Sequence, residues 1–115
     1  MAYTILHNSR CSKSRAGLDI LQHSGQDFEE RFYLEQPLNL EELQQLQSKL
    51  WLKAIEFTRR WEADFKIAWL DVDSSDAEIL EAIAKFPKLL ERPIVYNETQ
   101  AVIWRPPENI LDLLK

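Results

Sequence analysis

Tyr3-Thr4-Ile5-Leu6-His7-Asn8-Ser9-Arg10-Cys11-Ser12-Lys13-Ser14-Arg15 is the stretch on which the architecture turns. Its first four residues are aromatic, β-branched or aliphatic and read as a strand, and the polar cluster His7 to Arg10 ends that strand in a turn. Ala16, Leu18, Ile20 and Leu21 then supply the apolar surface of a helix. Ser12 or Ser14 is placed to cap its start, and Ser24-Gly25 supplies the stop, where a left-handed residue is tolerated. A strand, a turn and a helix thus carry the chain's only cysteine, Cys11, at a helix N-terminus.

Working outward, Phe28 to Leu34 is aromatic-rich with interleaved charges and reads as a second strand, ended by Glu35-Gln36-Pro37. Asn39 with Glu42 has the chemistry of a capping box, and Leu40, Leu43, Leu46 and Leu50 recur at helical spacing, so a helix is predicted over about 40–49. The Trp51 to Leu70 segment has helical propensity with broken periodicity and divides into two short helices around Thr58. Ser75 with Glu78 repeats the capping box ahead of Ile79, Leu80 and Ile83, and Phe86-Pro87 closes that helix. Pro93 to Tyr96 and Ala101 to Trp104, joined by a polar turn, read as a β-hairpin. Pro107 then opens a last helix carrying Ile110, Leu111 and Leu114. An early βαβ unit, a helical stretch, a hairpin and a terminal helix are the element order of a thioredoxin-like α/β fold, a mixed β-sheet flanked by helices. One domain over residues 1–115 is expected, with the helical insertion at about 38–88.

A chain of 115 residues with 45% hydrophobic and 29% charged content has the makeup of one ordered core. A net charge of -5 excludes a broad nucleic-acid or acidic-membrane surface. No segment has the form of a signal peptide or a membrane span, and a single cysteine makes no internal disulfide; a cytoplasmic protein is expected. One Cys with His7 and His23 does not make a zinc set, and two glycines leave no room for a glycine-rich nucleotide loop.

Positive charge is concentrated around the thiol. Arg10, Lys13 and Arg15 flank Cys11, and no acidic residue occurs between Thr4 and Gly17. Unpaired N–H groups and the helix dipole of the first turn lower a thiol's pKa and also form an anion site. The competing reading, an inert buried cysteine, fits poorly with a polar turn. A phosphatase-type loop needs Arg six positions after Cys, where Gly17 stands. A dithiol motif needs Cys three positions on, where Ser14 stands, so a resolving thiol comes from outside.

His7 to Arg15, Tyr33-Leu34-Glu35-Gln36-Pro37, Glu91-Arg92-Pro93-Ile94-Val95 and Trp104-Arg105-Pro106-Pro107-Glu108 together resemble the glutaredoxin-coupled arsenate reductase family, in its short bacterial subgroup. The resemblance implies a Cys nucleophile that attacks arsenate, glutathione as co-substrate and glutaredoxin as partner; no bound cofactor and a monomer are expected. Cys11 matches the family's nucleophile, and Arg59, Arg92 and Arg105 match three arginines that hold the oxyanion and lower the thiol pKa. His7 matches a position near the nucleophile, with Asn8, Ser14 and Arg15 as substrate-binding candidates in the same turn. Guanidinium suits the role because its planar fork of donors stays charged.

Other readings stand beside these. Arg59, next to Arg60, also reads as an ion-pair partner. His7 also reads as a hydrogen-bonding spacer at a strand end, and His23 as a helix-surface residue. The Arg92-Pro93 bond is the candidate for a cis peptide. Family members commonly carry proline where Ser9 stands and a longer C-terminal tail. Trp51, Trp61 and Trp69 are unusual in the helical segment; core packing is the simplest expectation for them, with a partner surface as the alternative. For the whole chain, the alternatives are a glutathione-dependent oxidoreductase acting on another substrate, or a redox-independent regulatory binding module.

Overall fold

Alternation and β-branching give the first strand, β1 (Tyr3–Leu6), in which Tyr3, Ile5 and Leu6 are all buried. The computed structural model describes residues 3–103, 110, 113 and 114. β1 runs parallel to β2 (Phe28–Arg31), with Tyr3 opposite Phe28 and Leu6 opposite Arg31. On its other side it pairs antiparallel with β3 (Ile94–Tyr96), which pairs antiparallel with β4 (Ala101–Ile103). The resulting sheet is mixed, in the order β2-β1-β3-β4. The parallel pair requires a crossover, and α1 (Ser12–Ser24) supplies it. Gly25 closes α1 at φ 75°, the left-handed conformation that glycine adopts without strain.

Two compact units are present, one formed by Met1–Gln36 with Arg92–Lys115 and the other by Pro37–Glu91. The first holds the sheet and α1. Its core is Tyr3, Ile5, Leu21, Val95, Ile110 and Leu113, with Leu18, Phe28 and Val102 packed against it. The second unit is helical, with α2 (Leu40–Leu50), a 3₁₀ turn (Ala54–Phe57), α3 (Ala63–Ile67), α4 (Asp76–Lys85) and a second 3₁₀ turn (Pro87–Leu89). Both expected capping boxes form. Asn39 Oδ1 accepts from Glu42 N–H and Ser75 Oγ from Glu78 N–H, while each glutamate accepts from its cap's own N–H. Asp76 adds a tie by accepting from Ala54 N–H and from the Gln47 amide. Leu43, Leu46, Phe57, Ile79, Ile83, Leu89 and Leu90 are buried.

Three expectations change, and a fourth falls outside the described residues. β2 stops at Arg31 rather than Leu34, because Phe32 O accepts from Glu35 N–H and Gln36 N–H and turns the chain there. Neither serine caps α1. Its N-cap is Cys11, in extended geometry with no side-chain cap bond. Trp51, Trp61 and Trp69 are exposed and do not enter the core. The Pro107 start of the last helix lies outside the described residues, although Ile110 and Leu113 are helical and buried. No helix among the described residues is long and apolar enough to cross a membrane.

Candidate active site

The site begins where β1 gives out. The ladder extends one residue beyond the strand as His7 N–H donates to Arg31 O, and the chain then leaves the sheet at Asn8. Asn8 organises the turn with three groups. Its Oδ1 accepts from Arg10 N–H, its carbonyl accepts from Cys11 N–H at 3.0 Å, and its own N–H donates to Ser14 Oγ at 2.9 Å. Arg15 ties the outer side by donating from Nη1 to Ser9 O at 2.9 Å. Helix geometry starts at Cys11, whose carbonyl accepts from Arg15 N–H.

Ser14 is fully buried, and its hydroxyl is shared by the turn and by His7, whose Nδ1 lies 2.8 Å from Oγ. The competition between backbone and side-chain hydrogen bonds explains why Ser14 does not cap: its oxygen serves the preceding loop. His7 is itself buried, edge-on to the Phe32 ring with centroids 5.7 Å apart. Burial lowers its pKa; the charge of Glu30 and the Ser14 hydrogen bond act the other way, and Arg15 adds to the lowering.

Cys11 is partly exposed, not sealed in the core. Burial is the largest influence on its thiol and raises the pKa. It is outweighed by the Ser14 N–H, a hydrogen bond from the Arg92 side chain, the Lys13 N–H and the Arg92 charge, so the net shift is downward from 9.0. The two N–H groups are the free donors of the first turn of α1, now aimed at sulfur. Arg92 acts on the thiol from two residues before β3, on the N-terminal side of a cis Arg92-Pro93 bond. Its Nε is buried and has no hydrogen-bond partner among the described residues, although buried donors are nearly always satisfied.

The structure therefore brings together His7, Asn8, Cys11, Ser14, Arg15 and Arg92. Arg59 belongs to the other unit, where its Nη1 donates to Glu62 at 2.8 Å and its Nε lies 3.9 Å from Glu91. Arg105 lies outside the described residues. Phe32 and Glu30 were missed as neighbours of His7. The parallel register Leu6 to Arg31 is the signal that places them there, and it requires knowing the strand pairing. Among the described residues no group of three His, Cys, Asp or Glu side chains could hold a metal ion.

A thioredoxin-like mixed sheet with a lowered-pKa cysteine at a helix start and an arginine on its sulfur defines the class of thiol oxidoreductases. Residues 6–113 match the ArsC family profile, and the chain belongs to the ArsC family. It is similar to the arsenate reductase of Haemophilus influenzae, 38% identical over 99% of this chain and 100% of that one. The arsenate reductase of Neisseria meningitidis serogroup A is 44% identical over 92% of each chain. The solved arsenate reductase from Vibrio cholerae superposes with a TM-score of 0.91 at 39% identity, covering 97% of both chains. The chain is an arsenate reductase-like thiol oxidoreductase.

Proposed function

We propose that the chain reduces arsenate to arsenite, with Cys11 as the nucleophile. The observation that carries this reading is the sulfur itself: partly exposed at a helix start, and ionised more readily than a free thiol because first-turn N–H groups and the Arg92 guanidinium favour its charged form. The Cys11 thiolate attacks arsenic, an As–S bond forms, and one oxygen leaves as water. A glutathione thiol then attacks the adduct and glutaredoxin supplies the second thiol. The glutathione and glutaredoxin sulfurs are oxidised to a mixed disulfide, As(V) takes up the electron pair, and water then breaks the Cys11–As bond, releasing arsenite and restoring the thiolate. Arg92 holds the oxyanion through its guanidinium charge. Asn8, Ser14 and Arg15 keep the turn in shape around it, and His7 fixes Ser14. Arg59 and Arg105 are carried as oxyanion ligands by family resemblance alone. The setting is the cytoplasm, where glutathione is abundant, and the enzyme acts as a monomer.

Arsenate-dependent NADPH oxidation, coupled through glutathione reductase, glutathione and glutaredoxin, tests this. Turnover is expected for the native protein and none for Cys11→Ser. Equal rates for the two proteins would remove arsenate reduction by this thiol.

A further inference from the structure

Segment Trp61 to Glu81 carries seven carboxylates against one lysine, Lys66. The same segment exposes Trp61, Ile67, Trp69 and Val72. Large apolar side chains exposed together mark contact sites, and Ile67 and Trp69 line one groove with Glu78 and Glu81. Trp69 is the extreme case. It is 93% exposed and sits at φ 60°, a left-handed conformation unfavourable for a bulky side chain. Burial does not account for that backbone, since the indole packs on almost nothing. Trp69 lines a groove between the end of α3 and α4, together with the apolar Ile67, Ala82 and Phe86 and the charged Glu78, Glu81 and Lys85. Trp51 repeats the pattern at the C-terminus of α2, 90% exposed at φ 60°, in a second groove that includes Glu56, Asp76 and Lys53.

We propose that the Trp69 groove is a docking surface for a protein partner that presents arginine side chains among aliphatic ones. Charge selects this occupant. Anionic lipid and nucleic acid are repelled by the carboxylates, and a second copy meeting the same face sets acid against acid. An arginine satisfies both parts of the surface, since its guanidinium stacks on the indole and pairs with Glu78 or Glu81 while a neighbouring aliphatic side chain packs on Ile67 and Phe86. The surface uses none of the residues around Cys11 and does not depend on what that thiol reduces.

The test uses the full-length ¹⁵N-labelled chain, titrated with a synthetic amphipathic helix whose leucine stripe is bordered by arginines. The Trp69 indole N–H resonance, identified with Trp69→Phe, is expected to shift. Affinity is expected to fall roughly tenfold in Trp69→Ala and in the Glu78→Gln, Glu81→Gln double variant, and to weaken with salt. Trp69→Gly serves as the second variant, because glycine accepts the left-handed backbone and the fold is retained. The proposal is overturned by an unmoved Trp69 resonance, by equal binding of the helix with glutamates in place of its arginines, or by unchanged affinity in both tryptophan variants. Binding of phosphatidylglycerol vesicles, or Trp69-dependent self-association in sedimentation, would assign the face to another occupant and also overturn it.

Discussion

At the scale of single residues, the thiol is governed by a balance with a known order of contributors: burial raises its pKa, while two backbone N–H groups and Arg92 bring it down further. Arg92 contributes both a hydrogen bond and a charge, so Arg92→Ala removes two of the four lowering influences. The inflection in iodoacetamide alkylation rate against pH is expected below 9.0 in the native protein and higher in the variant. An inflection that stays put would mean that the N–H groups alone set the thiol. His7 works in the opposite sense for stability. Its folded pKa lies below 6.5, so at mildly acid pH the unfolded chain binds the proton more readily than the folded one. Stability is therefore fully present above 6.5 and declines as pH falls toward the folded value. Melting temperatures between pH 7.5 and 5 are expected to fall for the native chain, and His7→Gln is expected to flatten that part of the slope.

Elements were legible where local chemistry decides them. Asn39/Glu42 and Ser75/Glu78 are short-range signals, and both helices begin where those pairs put them. Replacing either cap with alanine is expected to cost about 1 kcal/mol in denaturant melts. The start of α1 was misread because Ser14 has a competing use that depends on Asn8 and His7, and a pattern of serines does not reveal which backbone group each serves. The tryptophans were misread because hydrophobicity predicts burial in the average, whereas Trp51 sits one residue and Trp69 two residues past a helix end at positive φ, where the side chain swings out to solvent. Trp51→Gly relieves that backbone while losing almost no packing. It is expected to leave stability unchanged or raise it by up to about 1 kcal/mol, the left-handed cost for an L-residue. Marked destabilisation would show that the indole makes contacts its exposure hides.

For the whole molecule, strand order matters more than any one residue, and no local signal contains it. The sequence shows four strands. That β1 lies between β2 and β3, parallel to one and antiparallel to the other, follows from the α1 crossover on one side and from the hairpin returning to the free side of β1. This order places the two most buried strands at the centre and puts both His7 and Arg92 at strand ends near the α1 N-terminus. Ile5 and Val95 face each other across the central pair, and neither is exposed at all. β2 is an edge strand whose middle residues, Glu29 and Glu30, are exposed, and charge there discourages pairing with another chain. Amide hydrogen exchange should follow that order, because central strands open only with the global transition while edges open locally. The slowest amides are expected in β1 and β3, and those of β2 should exchange faster. Ile5→Ala should bring the central amides toward the edge rates by removing roughly 2–5 kcal/mol of packing. Uniform protection across all four strands would mean that the sheet unfolds as a single block, with the edges adding as much as the centre.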